Sequence, residues 1–265
     1  MYSAVTFMIV GYVSILVFMF LFQRTFMYHP TVENSSQDKI MFKFEEIFIP
    51  TTNNISLKSW YSFDEKNKKT ILFFHGNAGT LDARIYKLNV LSELDVNFLI
   101  ISYRGYSGND GKPSEQGFYE DANSALKWLE NKGIKKEDII LYGESIGTGV
   151  ATEIGSKDQY AGIILESPFT SLVDMGKKLY PFLPVSLLQK DRYENDKKVK
   201  LINFPILIMH GKADSIVNFE MGKRLYDIAN SPKFSFFPEY DNHMMAFNDK
   251  MKSKLSNFFS FVIKQ

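Results

Sequence analysis

Apolar and polar positions divide this chain into a start of one kind and a body of another. From Ala4 to Phe22 the side chains are almost wholly Val, Ile, Leu, Phe, Met and Tyr, and no charge occurs from Met1 to Phe22. A helix of that length reaches about 28 Å, close to the hydrocarbon thickness of a bilayer. The run closes in Phe20-Leu21-Phe22-Gln23-Arg24 with no small-residue cleavage site and no basic stretch ahead of it. Residues 1–23 are therefore expected to be an uncleaved single-pass anchor rather than a secretory signal peptide. Residues 24–40, with Pro30 and a polar run from Glu33 to Lys39, read as a juxtamembrane linker.

From 41 to 265 the pattern changes to short apolar runs alternating with amphipathic stretches. Phe42–Pro50 and Ile55–Phe63, parted by Thr51-Thr52-Asn53-Asn54, predict a hairpin. Thr70–Phe74, Asn97–Ile101, Asp138–Tyr142, Ala161–Leu165, Pro205–Met209 and Phe234–Phe237 predict buried strands. Helices are expected between them, one over about Leu81–Leu94. Another opens at Pro113-Ser114, carries Phe118, Ala122, Ala125, Leu126 and Leu129 at helical spacing, and stops at Gly133. Such alternation predicts an α/β fold, a doubly wound, mostly parallel sheet of about eight strands with helices on both faces.

Composition narrows the chemistry. The formal net charge is +1, from 31 basic and 30 acidic residues, which offers nucleic acid no electrostatic footprint. There is no cysteine, so disulfides, thiol nucleophiles and thiolate metal sites are excluded. The four histidines, His29, His75, His210 and His243, lack metal-ligand spacing, and no metal or other cofactor is expected.

One motif organises the body. Gly143-Glu144-Ser145-Ile146-Gly147 follows an apolar run and precedes Thr148–Ile154, which reads as a helix. Strand, G-x-S-x-G, helix is the context of a nucleophile elbow, whereas a chance match would sit in a glycine-rich turn. The bend leaves no room for side chains at Gly143 and Gly147. In sheets of this kind, sites form beyond the carboxyl ends of the strands. Asp214 follows the Pro205–Met209 run and His243 follows Phe234–Phe237, giving the order Ser, Asp, His. A serine hydroxyl needs an imidazole to take its proton, and the imidazole needs a carboxylate to fix its tautomer. Asp241 is a nearby competitor for the carboxylate; Asp214 is preferred because it follows a separate strand. The oxyanion donors would be the N–H of Ile146 and that of Asn77, in His75-Gly76-Asn77-Ala78-Gly79. His75 and Gly76 are read as supporting that loop, His210 as serving its own loop's geometry, and His29 as inert. Ser167, in Glu166-Ser167-Pro168, lacks the glycine context of a nucleophile.

These segments resemble the α/β-hydrolase superfamily, and more narrowly membrane-anchored α/β-hydrolase-domain serine hydrolases, the group containing depalmitoylases and bacterial relatives. Further matching stretches are Tyr103–Gly108, Gly111–Glu115, Glu166–Ser171 and His210–Asp214. The resemblance implies hydrolysis of esters or thioesters through an acyl-enzyme. It departs at Asn242, where relatives commonly carry glycine before the histidine.

A lid is expected at about 167–203, with the apolar, proline-punctuated run Leu179–Leu188. It lines an acyl-chain site or simply packs on the sheet. The expected partners are a small-molecule or acyl-protein substrate and the membrane, through the first helix. A peptide bond, a short soluble ester, or a non-catalytic platform are the competing readings; an aspartyl-ester mechanism would need Asp where Ser145 stands. Arg24 favours a cytoplasmic catalytic domain, while the triplets Asn34-Ser35-Ser36 and Asn54-Ile55-Ser56 match glycosylation sequons. Sidedness and oligomeric state are left open by the sequence.

Overall fold

The apolar runs become strands with small shifts at their ends. A computed structural model describes residues 2–32 and 38–264, so the Asn34-Ser35-Ser36 triplet lies outside the described residues. The strands are β1 (Glu45–Pro50), β2 (Ser56–Ser62), β3 (Thr70–Phe74), β4 (Asn97–Ile101), β5 (Ile139–Glu144), β6 (Gly162–Glu166), β7 (Ile206–Met209) and β8 (Lys233–Phe236). They form one sheet in the order β1-β2-β4-β3-β5-β6-β7-β8. The hairpin β1–β2 is antiparallel and joins antiparallel to β4; every pairing from β4 to β8 is parallel.

Parallel strands covered on both faces can be apolar at every position, and β3 shows how. Leu72 and Phe74 enter one buried cluster, whereas Ile71 and Phe73 enter the other. The first cluster includes Phe118, Ala122 and Leu129 of α3 (Glu115–Asn131) with Val150 and Ile154 of α4 (Ile146–Gly155). The second includes Leu88 and Leu91 of α2 (Ile85–Ser92) with Leu255, Phe258 and Phe259 of α9 (Asp249–Ile263). Ser114 caps α3 by accepting the Gly117 N–H, as its position before the helical run predicts.

Three details differ from expectation. The helix expected over Leu81–Leu94 opens with a tighter 3₁₀ turn, Leu81–Arg84, in which the Arg84 side chain folds back to the carbonyls of Ala78 and Thr80. The apolar helix α1 runs Tyr2–Met27, past residue 23, and its window from Ser3 is long and apolar enough to cross a membrane. The next residue is not free linker: Tyr28 is buried against Phe118, and its hydroxyl meets that of Tyr193 at 3.1 Å. Between β6 and β7 lie α5 (Leu172–Leu179), α6 (Val185–Leu188) and α7 (Asn195–Lys198), the segment expected as a lid. The helix α8 (Phe219–Ile228) completes the layer between β7 and β8.

Candidate active site

Ser145 occupies the turn between β5 and α4 with φ 51° and ψ −116°, a conformation in which a non-glycine residue is strained. The turn is held by the Ser145 N–H donating to Glu166 O at 2.9 Å and by Thr148, whose N–H and hydroxyl both donate to Ser145 O. Its glycines are sterically required. A Cβ on Gly143 would lie 2.5 Å from Gly147 O, and one on Gly147 would lie 2.1 Å from Phe74 O.

The three residues picked from strand ends meet here. His243 Nε2 is 3.0 Å from Ser145 Oγ, and His243 Nδ1 is 2.8 Å from Asp214 Oδ2. A carboxylate can only accept, so Nδ1 carries the proton and Nε2 is free to accept from the serine hydroxyl. Asp214 is shielded from solvent and fully engaged. Oδ1 accepts the N–H groups of Ile216 and Val217, each at 2.8 Å, while Oδ2 also lies 3.0 Å from His210 Nε2. Burial alone would raise the Asp214 carboxyl; the bonds from His210 and His243 outweigh it and hold it well below the ordinary carboxylate range. His210 thus orients the carboxylate as well as its loop, since its Nε2–H also points at Val217 O at 3.0 Å.

Asp241 is not the carboxylate on the imidazole: its Oδ2 accepts the Ala246 N–H at 3.0 Å and so closes its own loop. Asn242, the departure from the family pattern, proves to be a brace. Its Oδ1 accepts from the N–H of His243 at 2.7 Å and from the N–H and hydroxyl of Ser215, tying the histidine loop to the Asp214 loop. Its φ lies outside the left-handed region, so glycine is not needed. Ser167 spends its hydroxyl on His243 O at 2.9 Å.

The loop after β3 is fixed from beneath by charges that sequence reasoning passed over. Glu144, the residue before Ser145, accepts from Gly76 N at 3.2 Å, Arg84 Nη2 at 2.7 Å and Lys87 Nζ at 2.7 Å. Lys87 also pairs with Glu166 at 2.6 Å, and the Tyr142 hydroxyl donates to Glu166 at 2.7 Å. All four charged side chains are at most 4% exposed. Desolvation opposes each charge, yet the two cations keep the Glu144 carboxyl far below its usual range, and the two carboxylates hold Lys87 above its own. His75 is fully buried and donates from Nδ1 to Gly76 O at 2.6 Å; burial, aided by the Arg84 charge, pushes its pKa down to about 3, so it stays neutral.

Asn77, read as an oxyanion donor through its backbone, also uses its side chain to hold the end of α1. Nδ2 donates to Met27 O at 2.7 Å, and Oδ1 accepts from the Tyr106 hydroxyl at 2.8 Å and the His29 N–H at 3.3 Å. Thr31 Oγ1 in turn accepts the Gly79 N–H at 3.1 Å. His29 joins this contact through its backbone alone.

Ser145, His243, Gly76 and Asn77 open into a cavity of about 690 Å³, within the range of ligand sites. Its remaining wall is mostly apolar, drawn from α1, from the 172–189 segment and from Ile216, Val217 and Met244. Among the described residues no cluster of His, Asp and Glu could hold a metal ion. The arrangement can take a proton from a serine hydroxyl that faces a largely apolar chamber.

Comparison with known proteins shows what the chain is similar to. A family model described as serine aminopeptidase, S33, matches residues 65–190. An uncharacterised protein of Mycobacterium tuberculosis is 32% identical over 224 residues, covering 83% of this chain and 80% of that protein. Lysophosphatidylserine lipase ABHD12 of Danio rerio is 35% identical over 207 residues, 68% of this chain, which spans about half (54%) of that relative. The esterase Pf2001 of Pyrococcus furiosus shares the fold, with a TM-score of 0.71 at 20% identity, covering 88% of this chain and 98% of that one.

Proposed function

The chain belongs to the α/β-hydrolase superfamily, and from that footing we propose that it is a membrane-anchored serine hydrolase cleaving carboxylic esters or thioesters of lipid or acyl-protein type. The observation that carries the reading is the unbroken chain Ser145 Oγ, His243, Asp214, whose first two members line a largely apolar cavity. Ser145 Oγ attacks the carbonyl carbon as its proton passes to His243 Nε2, and Asp214 stabilises the imidazolium. The oxyanion is held by the N–H groups of Ile146 and Asn77. Collapse breaks the bond to the leaving alcohol or thiol, which takes the proton from His243. Water, deprotonated by the same imidazole, then releases the acid and restores Ser145. His210, Asn242 and the Glu144 cluster act as positioning residues.

An ester is favoured by the lipase relative and by the cavity wall; a membrane anchor is favoured by the charge-free stretch of α1. The test is a chain-length series of p-nitrophenyl esters with matched thioesters, on wild type and Ser145→Ala. The variant should lose roughly 10³–10⁶ in turnover. Undiminished hydrolysis by the variant would reject Ser145 as nucleophile. The family model's description favours a second reading, peptidase action, and this requires aminoacyl p-nitroanilides to be turned over faster than any ester in the series.

A further inference from the structure

The segment Leu179–Gln189 carries no charge and stands unusually open for its composition. Phe182 is 86% exposed, Leu187 84% and Leu179 67%. A soluble face would not keep such a cluster in water. Its surroundings say what covers it. The segment runs alongside α1: the Tyr12 hydroxyl donates to Phe182 O at 2.8 Å, Gln23 Nε2 donates to Leu188 O at 3.0 Å, and the Lys190 N–H donates to Gln23 Oε1 at 2.8 Å. Tyr12 and Gln23 are eleven residues apart, so Phe182 lies about 16 Å along the helix axis from the polar end. Basic residues flank the run at Lys177, Lys178 and Lys190, and Arg24 pairs with Asp191 at 2.7 Å. Apolar tip, basic flanks and an adjoining bilayer-length helix are the pattern of a segment dipped into a leaflet, with its cations at the phosphates.

The cavity follows the same path. Its wall includes Met19, Phe26 and Met27 of α1 together with Met175, Leu179 and Leu183 of the lid. Met19 lies inside the charge-free stretch, one helical turn before Gln23, so the wall reaches a level that acyl chains occupy.

We propose that the tip of the 167–203 segment, Phe182 to Leu187, is immersed in the same leaflet as the adjoining part of α1, and that the acyl chain of a membrane-resident ester enters the cavity sideways between the two. The substrate class is then an amphiphile whose chain already lies in the bilayer, with its leaving group turned toward water. This rests on the membrane-anchored hydrolase reading, and the test separates the two.

The chain has no native cysteine, so single Phe182→Cys and Leu187→Cys variants of the full chain accept one environment-sensitive fluorophore each. Lys135→Cys is the control: it is 72% exposed and precedes β5, at the end of that strand opposite to Ser145. In phosphatidylcholine vesicles, phospholipids bearing a mid-chain nitroxide should quench positions 182 and 187 but not 135. Equal quenching at all positions, or none at 182 and 187, overturns the placement. As a second arm, Phe182→Asp with Leu187→Asp should cut hydrolysis of a long-chain monoacyl ester in vesicles by roughly tenfold or more. Hydrolysis of soluble p-nitrophenyl acetate should stay unchanged in the same protein. An equal fall on both substrates, or on neither, overturns lateral entry. Quenching at 182 and 187 in the labelled variants, together with a wild-type chain that cleaves no ester, would reject the hydrolase reading alone and leave the leaflet placement standing.

Discussion

Lys87 is the sharpest place to perturb the molecule away from the reacting atoms. Its ammonium is 0% exposed and sits between Glu144 at 2.7 Å and Glu166 at 2.6 Å, with Arg84 completing a balanced set of two cations and two carboxylates. Lys87→Met keeps much of the volume but leaves one buried negative charge unmatched. Breaking a buried pair in this way costs about 3–5 kcal/mol, a large part of the stability of a typical domain. At about 2–4 °C per kcal/mol for a chain of this size, the melting temperature should fall by roughly 10 °C. The same change loosens Glu144, which holds Gly76 directly and the Ala78 carbonyl through Arg84, so turnover of a short ester should fall by up to roughly 10². Adding Glu166→Gln removes the surplus charge and should recover part of the melting temperature, since the two sites are coupled. Lys223→Met, an exposed pair with Asp227, is the control and should leave the melting temperature unchanged. Thermal unfolding in detergent, with ester kinetics on the same samples, reads all of these. A fall of less than about 3 °C for Lys87→Met would refute the reasoning, because an unmatched buried charge cannot be that cheap.

The other predictions are simpler. Asp214→Asn should lower kcat by roughly 10⁴ with little change in KM, because the amide no longer selects the tautomer; steady-state ester kinetics check it. Gly147→Ala must push a methyl into Phe74 O, and should cost about 1–3 kcal/mol or more in urea unfolding while removing fluorophosphonate labelling. His75 sets a pH dependence. Its folded pKa lies at about 3, whereas an unfolded imidazole takes its proton near 6.5. Between those values the unfolded chain binds more protons, so stability falls as pH drops, by up to about 1.4 kcal/mol per unit. Urea unfolding across that window should show a shallower slope for His75→Gln than for wild type, and an identical slope would contradict the assignment.

Much of this architecture is legible in the chain because the relevant constraints are local. Ser145 shows itself through the steric demand on Gly143 and Gly147, and Asp214 and His243 through their places just beyond apolar runs. The Glu144 cluster is hidden for the opposite reason. Its partners Arg84 and Lys87 lie about sixty residues away, and in Ile85-Tyr86-Lys87-Leu88 a lysine reads as a solvated helix position. The docking of the chain after α1 is equally silent. Tyr28, His29 and Thr31 stand in a polar stretch that looks like a linker, and only contacts with Tyr193, Asn77 and Gly79 reveal otherwise. Asn242 is a departure from the motif because the motif specifies a residue type, whereas the fold uses the position as a brace to Ser215.

The claim beneath the whole account is that Ser145 forms the covalent bond to substrate. Treating the full chain with a fluorophosphonate and mapping the modified peptide by mass spectrometry tests it directly. The account predicts a single adduct on Ser145, absent after His243→Ala. An adduct on Ser167 instead, or ester hydrolysis that continues undiminished once Ser145 is fully modified, would contradict it.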